Sequence, residues 1–213
     1  MPRSRWAILV AGAAAVLLGH GRAGATVGLA EWQIDTPGGH RITHGDAWMA
    51  EHGDCLLRRG DERPLVSHLV RWRYYPGLVL GRTTTDSFLL DERTEALARF
   101  PDERAALAAL RRRPPAARAP LSDWMTADDG WTEAWFPLLV WPRCRQPATL
   151  DARTKVTCDR FLSPKGLALA RVTTWGRACA ALPPHGGAGG APGAPAADQI
   201  AAWCALVTSS GTP

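Results

Sequence analysis

The sequence lacks the motifs of the common catalytic classes. It contains no Cys-x-x-Cys pair and no Gly-x-Ser-x-Gly segment. Their absence excludes the thioredoxin-type redox motif and the nucleophile elbow of the α/β-hydrolases. The glycine-rich stretch 186–193 is interrupted by Pro192 and follows no predicted strand. It therefore does not present backbone amides to a phosphate as a nucleotide-binding loop does, and the sequence offers no catalytic residue by motif.

Lysine is almost absent, and the basic character of the chain rests on arginine. Lys155 and Lys165 are its only lysines, and 25 basic against 20 acidic residues give a net charge of +5. Arg3, Arg5 and Arg22 lie in the first 25 residues, which contain no acid, so the rest of the chain has 22 basic and 20 acidic residues, a net charge of +2. Proteins that bind nucleic acid concentrate basic side chains on one face. We expect no nucleic-acid partner.

The amino-terminal 25 residues have the pattern of a cleavable signal peptide. Arg3 and Arg5 precede an apolar run over residues 6–18, and Ala23-Gly24-Ala25 places small residues at positions −3 and −1 of a cleavage site. We expect export by the general secretory (Sec) route, cleavage between Ala25 and Thr26, and a secreted or periplasmic protein. An uncleaved membrane anchor is the alternative, and it is disfavoured because the run is shorter than the ~20 residues that span a bilayer.

Five cysteines follow the expected cleavage site, and in an oxidising compartment disulfides are expected. An odd number leaves one thiol unpaired in a monomer. We favour the pairs Cys144–Cys158 and Cys179–Cys204, which leave Cys55 as the free thiol; other pairings remain open. A bond that closes a loop as short as the first would stabilise the fold by about 3 kcal/mol in the chain-entropy model.

The segment 65–110 carries the clearest structural pattern. Apolar and polar residues alternate with the period of a strand, and Pro76-Gly77 predicts a tight turn. Pro101, Asp102 and Glu103 then suit the first turn of a helix. We therefore predict an α+β fold: a small antiparallel β-meander of four or five strands with one packed helix, followed by an irregular, disulfide-stapled carboxy-terminal region. The residues expected on the apolar face of the first strand are Val66, His68, Val70, Trp72 and Tyr74.

Composition divides the rest of the chain. Residues 143–182 predict irregular or short β structure, and a Pro-, Gly- and Ala-rich stretch predicts a flexible tether. The expected units are a signal peptide (1–25), a sheet-plus-helix core domain (26–113), a linker (114–120), a Trp- and Cys-rich region (121–182), the tether (183–197), and a short helix with a tail (198–213).

The densest group of possible metal ligands lies before the meander. It comprises His40, His44, Asp46, His52 and Asp54, a nitrogen and oxygen set that suits zinc. The segment His40-Arg41-Ile42-Thr43-His44 lacks the glutamate of the metalloprotease helix motif, and nearby glycines indicate a loop. A solvated polar loop is the alternative. No cofactor is expected unless this group binds zinc.

Tryptophans form the second group. Trp124, Trp131 and Trp135 have spacings of seven and four, which would place them on one side of a helix. Exposed indoles of this kind could stack on sugar rings. Asp128-Asp129-Gly130 is expected to interrupt such a helix, however, and buried packing is the commoner role of tryptophan.

These patterns favour a non-catalytic binding or envelope-associated module. An exposed edge of the meander could accept a strand from a partner. The partner would be an envelope protein or a glycan, with membrane contact only through an uncleaved signal segment. A zinc-dependent enzyme or metal-binding protein that uses His40, His44 and His52 is one alternative. A carbohydrate-binding module that uses Trp131 and Trp135 is the other.

Overall fold

The computed structural model describes residues 31–45, 51–61, 63–181 and 195–209. The predicted signal peptide with its cleavage site, Asp46, residues 183–194 of the predicted tether and the tail 210–213 lie outside these ranges. Within them the α+β class is confirmed: two antiparallel sheets are followed by helices.

The first sheet is a four-stranded antiparallel meander. Its strands follow the chain in the order β1-β2-β3-β4. They are β1 (Trp32–Asp35), β2 (Arg41–His44), β3 (Cys55–Leu57) and β4 (Pro64–Val66). Strand β2 pairs with both β1 and β3. The residues before the predicted meander therefore form a sheet of their own.

The second sheet contains most of the predicted meander. It is antiparallel with the order β5-β6-β7-β8. Its strands are β5 (Leu69–Tyr75), β6 (Leu78–Thr83), β7 (Ser87–Asp91) and β8 (Ala96–Phe100). The turn predicted at Pro76-Gly77 joins β5 to β6, and Gly77 has the positive φ of 70° that favours glycine there.

His68 marks a crossing between the two sheets rather than a position inside one strand. Its φ is 55°, so the extended run breaks between β4 and β5. The backbone N–H of His68 donates to the His52 carbonyl at 2.6 Å. As a result Val66 and Leu69 are buried, whereas His68 and Val70 are exposed. The prediction of His68 and Val70 on the apolar face is wrong, because the crossing moves the buried position to Leu69. A register shift between Leu69 and Arg71 then returns Trp72 and Tyr74 to the buried face, as predicted.

Two clusters of buried apolar side chains pack against the sheets. Side chains from both sheets form the larger one, in which Ile34, Trp72 and Tyr74 are completely buried. The opposite face of the second sheet is covered by α1 (Glu103–Arg111), which buries Ala106 and Leu110 against it. Asp102 caps this helix by accepting from the Ala105 N–H at 2.8 Å. This is the packed helix that the sequence predicts.

The chain after the linker is helical. Residues 121–125 run beside β5, where Trp72 and Met125 exchange two backbone hydrogen bonds. The helices that follow are α2 (Ala127–Trp135), α3 (Trp141–Cys144), α4 (Ala152–Leu162), α5 (Pro164–Val172), α6 (Thr174–Ala181) and α7 (Pro195–Ser209), with one π-helical turn at Phe136–Val140 between α2 and α3. From residue 152 to residue 181 the chain is thus almost entirely helical, whereas the sequence predicts irregular or short β structure for 143–182.

Two disulfides staple this helical region, as predicted. Cys144–Cys158 joins α3 to α4, and Cys179–Cys204 joins α6 to α7. They are the pairs favoured from the sequence, and they fit an oxidising, exported environment. Across the described ranges, no helix combines the length and the apolar character needed to cross a membrane.

Candidate functional site

Glu133 of α2 is a carboxyl group buried between the sheets and the helical region. The helix begins with a capping box, in which Thr126 and Asp129 satisfy each other's backbone N–H groups. Gly130 and Glu133 are one turn apart and both are buried. The helical face that carries Glu133 is therefore the face that α2 turns towards the sheets.

Gly130 allows α2 to lie directly on β1. A Cβ atom at this position would come within 2.4 Å of the Trp32 ring. Helix α2 also runs through Asp128-Asp129-Gly130 without a break. The predicted interruption is wrong, because both aspartates lie in the positively charged first turn and the glycine is held by packing.

The backbone around Glu133 is fixed by a tryptophan from a distant helix. The N–H that would normally bond to the Glu133 carbonyl belongs to the residue four positions on, which is Pro137 and has none. The indole N–H of Trp175 on α6 donates to this carbonyl instead, at 2.7 Å. The proline and the tryptophan together connect α2 to α6 at Glu133.

Beside Glu133 lies a small cavity with an aromatic lining, called here the Glu133 cavity. Its volume is about 30 Å³, which is enough to hold a water-sized group. The cavity is lined by Met125, Glu133, Phe136, Arg160, Phe161, Gly166, Leu169, Ala170, Trp175 and Trp203. It is therefore a small site.

The Glu133 carboxyl is held in an environment that disfavours its charge. Within the described ranges neither of its oxygens has a hydrogen-bond partner, because the one hydroxyl close by, that of Thr173, donates to the Leu169 carbonyl at 3.1 Å. Burial raises its pKa to about 7; the nearby Thr173 hydroxyl and Arg160 guanidinium oppose the shift, and Asp35 and Asp129 add to it. Around neutral pH the carboxyl is therefore divided between its neutral and ionised forms.

Tyr74 lies near this carboxyl from the sheet side. Its hydroxyl is buried and has no hydrogen-bond partner in the part of the chain that the structure describes. Burial raises the pKa of Tyr74 well above its usual value, and the proximity of Glu133 raises it further. Tyr74 is thus a neutral hydroxyl at all ordinary pH values.

The other two carboxylates near Glu133 each have an arginine. Asp129 forms an ion pair with Arg160. Asp35 lies 3.6 Å from the Arg177 guanidinium, although burial still raises its pKa. Glu133 is the member of this group without a positive partner.

The predicted metal ligands that the structure describes do not meet at one site: His44 and Asp54 bond to each other, and His40 lies apart from them. His40 is completely buried, with Nδ1 at 3.5 Å from Glu92 and Nε2 at 3.4 Å from Glu95. His44 instead bonds to Asp54 at 2.6 Å, and its ring stacks on Trp32 with 5.6 Å between the centroids. Residues four apart along a strand are about 13 Å apart, which separates the two histidines.

The two remaining predicted ligands, His52 and Asp46, provide no third metal ligand within the described residues. His52 lies 3.8 Å from the exposed Glu51, and Asp46 is outside the described residues. Among the residues that are described, no group of three or more His, Cys, Asp or Glu side chains could hold a metal ion.

The three predicted tryptophans have two different environments. Trp124 lies between Arg71 and Arg73, whose guanidinium carbons are 4.7 and 5.3 Å from its ring centre, and it packs on the α1 side of the second sheet. Trp131 and Trp135 are half-buried against the core between the sheets. The helix brings Trp131 and Trp135 to one side, and Trp124 stands apart.

Cys55 is a buried, free thiol in β3. Its Sγ donates to the Gly53 carbonyl at 3.3 Å, and burial raises its pKa. A thiol in this state is a poor nucleophile.

Sequence reasoning missed Glu133. The available signal is that Glu133 falls between Trp131 and Trp135, three residues after Gly130 and three before Phe136, on the face of α2 that becomes buried. An acid on an apolar helical face needs a partner or a function.

The chain matches no protein-family model, no curated protein and no solved structure.

Proposed function

We propose that this is an exported, non-catalytic binding protein whose ligand site is the Glu133 cavity. The observation that carries the proposal is the Glu133 carboxyl, which has no hydrogen-bond partner among the described residues and is buried in a cavity lined mainly by apolar and aromatic groups. Buried charged groups are normally paired, because leaving one unpaired costs several kcal/mol. A ligand that enters the cavity would supply the missing partner.

The lining favours binding over catalysis. Among the described residues that line the cavity there is no Ser, Thr, Cys, His, Tyr or Lys side chain, so the lining offers no hydroxyl, thiol, imidazole or amine nucleophile. Its two charged members are Glu133 and Arg160, and Arg160 is already paired with Asp129. A single carboxyl without a second catalytic group can hold a ligand, whereas acid–base catalysis generally requires a positioned partner.

Export supports the same reading. The two disulfides suit an oxidising compartment, and the amino-terminal pattern with its cleavage site between Ala25 and Thr26 would direct the chain there. In such a compartment a binding protein meets small solutes and envelope components.

Indole signals of Trp175 and Trp203, which both line the cavity, give a direct test. A panel of small neutral, cationic and anionic compounds would be titrated into the oxidised full chain while the indole N–H resonances are followed by NMR. At least one compound should shift both resonances and be recovered chemically unchanged. Ala170→Leu, which fills the cavity from α5, should abolish these shifts. Val172→Leu, an exposed change on the same helix, should not.

Two results would contradict the proposal. One is that no compound shifts the Trp175 and Trp203 resonances. The other is that the shifts persist unchanged in Ala170→Leu, which would place binding elsewhere.

A second candidate is a protein-binding role for the edge strand β8. In the described part of the chain its backbone pairs only with β7. Leu97 packs towards the core between the sheets and Phe100 towards α1, so apolar cover is present on both faces at this edge. An extended segment of an envelope protein could add a strand there.

Site-specific cross-linking tests this second role. A photoreactive residue at exposed Ala98 of β8 should give a defined adduct in the native compartment, and one at exposed Val156 of α4 should give none. The same adducts from both positions would contradict an edge-specific partner.

A further inference from the structure

We infer that the Glu133 cavity recognises a primary ammonium group on a short aliphatic stem. The inference rests on the proposed function, because it takes the cavity as the ligand site. It adds the chemical class of the ligand, and three properties of the cavity support it: charge, lining and size.

One of the three carboxyl groups at the site has no basic side chain paired with it in the described ranges. Asp129 pairs with Arg160, and Asp35 lies beside Arg177. Glu133 has no such partner in the described ranges, and its oxygens accept no hydrogen bond there. A ligand with a single positive charge and N–H donors would neutralise the site and satisfy both oxygens.

The lining selects an organic cation over a metal ion. The aromatic residues are Phe136, Phe161, Trp175 and Trp203. Phe136 stacks on Phe161 with 4.7 Å between ring centres and lies 5.0 Å from Trp203. Aromatic rings attract ammonium groups through their quadrupoles, whereas calcium and magnesium need about six or more oxygen ligands. Glu133 is the one carboxylate in this lining.

Size narrows the class further. A cavity of about 30 Å³ suits a small head such as –NH₃⁺ better than a bulky one. A trimethylammonium group is too large without rearrangement of the rings. The preferred head is therefore a primary ammonium.

The less buried part of the lining lies on α4 and α5. Arg160, Phe161 and Gly166 are half-buried there, whereas Glu133 is 3% exposed. A stem attached to the ammonium would leave past these three residues. Three kinds of molecule share this chemistry: a free small amine, a lysine side chain of a protein, and an ethanolamine lipid headgroup.

Protonation of Glu133 should oppose binding. The charged or titratable groups around it are Asp35, Asp129, Arg160 and Tyr74, and of these Asp35 and Tyr74, like Glu133, have raised pKa values. With the Glu133 pKa at about 7, the ionised fraction falls on the order of a hundredfold between pH 8 and pH 5. Ammonium affinity should fall by a similar factor.

The experiment is an NMR titration of the oxidised full chain with methylammonium chloride at constant ionic strength, read at the indole resonances of Trp175 and Trp203. Methanol serves as the neutral isostere and tetramethylammonium as the oversized cation. We expect an affinity of several millimolar or weaker for methylammonium at pH 8, since a ligand with two heavy atoms has a low ceiling on its binding free energy. Both comparison compounds should bind at least tenfold more weakly.

The next step removes the charge of Glu133 while keeping the shape of its side chain. Glu133→Gln should weaken methylammonium binding at least tenfold and remove its pH dependence. Asp128→Asn, an exposed change on the same helix, should leave both unchanged. Binding by Glu133→Gln within twofold of the unmodified protein, or equal binding of methanol, would overturn the inference.

The outcomes separate this inference from the proposed function. Neutral compounds could bind in the cavity in a way that Ala170→Leu prevents and Glu133→Gln does not affect. In that case the cavity is a ligand site and the assignment of an ammonium ligand is wrong. If methylammonium binds as expected, the source is compared next: ethanolamine, a lysine-containing peptide, and phosphatidylethanolamine vesicles against phosphatidylcholine vesicles. The natural source should bind at least tenfold more tightly than methylammonium, and failure of all three to do so would overturn a role in recognition.

Discussion

The indole N–H of Trp175 lies 2.7 Å from the backbone carbonyl oxygen of Glu133 and donates to it. Forty-two residues separate the two along the chain. The bond joins the end of α2 to α6 beside a carboxyl group, and Pro137 explains why the carbonyl accepts it, since a proline four residues on offers no N–H.

Trp175→Phe should destabilise the fold by about 1–3 kcal/mol, because the ring volume is largely kept while a buried carbonyl loses its donor. Urea denaturation measures the change. In a Pro137→Ala background, the new backbone N–H at position 137 could bond to the Glu133 carbonyl. The cost of Trp175→Phe should then be smaller. Simple additivity of the two substitutions would contradict this account.

Glu133 should make the fold less stable as pH rises. Its pKa is about 7 in the folded protein, whereas the ordinary value for a glutamate side chain is 4.5, so the folded state binds the proton more tightly than the unfolded state. Stability from this group is full below about pH 4.5 and is lost as pH rises through 7. Between pH 5 and pH 8 the loss should be on the order of 2 kcal/mol.

Glu133→Gln should remove that loss, so the stability of the variant relative to the unmodified protein should increase as pH rises. Urea denaturation at both pH values gives the comparison, with Asp128→Asn as the control. Parallel pH profiles for Glu133→Gln and the unmodified protein would show that the carboxyl is not desolvated.

The change in stability caused by Gly130→Ala distinguishes helix propensity from packing, because the two predict opposite signs. Propensity alone would stabilise α2 by about 1 kcal/mol. The added Cβ would lie 2.4 Å from the Trp32 ring, so we expect destabilisation of about 1–3 kcal/mol from overpacking. Denaturation gives the sign, and near-ultraviolet circular dichroism reports on Trp32. A stabilised variant would show that the helix does not rest on this ring.

Loss of the Cys179–Cys204 bond should loosen α7 specifically. The bond spans 25 residues, and its removal with two alanines should cost about 3 kcal/mol. Hydrogen exchange should rise in α7, and with it the exposure of Trp203, which is completely buried and packs 5.0 Å from Phe136. The control is removal of Cys144–Cys158, which should leave exchange in α7 unchanged. Equal effects from both removals would contradict a local role.

Several local features follow from the sequence because neighbouring residues cause them. Alternation and the Pro76-Gly77 turn predict the second sheet, and Asp102 with Glu103 predicts the start of α1. The cysteine pairs join segments 14 and 25 residues apart, which short-range reasoning can reach.

Other features depend on contacts that local pattern does not contain. The positive φ of His68 arises where the chain changes sheets, and it moves that residue from the expected apolar face to the surface. By local pattern alone, Gly130 predicts a break in the helix. The structure shows that Trp32, about a hundred residues earlier in the chain, fills the space beside Gly130.

The sequence by itself determined the α+β class, the meander, the helix over its outer face and the disulfide-stapled end, because periodicity, turn chemistry and cysteine spacing act over short distances. The tertiary structure alone decided that Glu133 is the buried acid. Its desolvation comes from β5, α4, α5, α6 and α7 together with its own helix α2, and the pKa of a carboxyl depends on which groups surround it in space. The same reason separates His40 from His44, which the sequence places four residues apart and the strand geometry keeps from meeting.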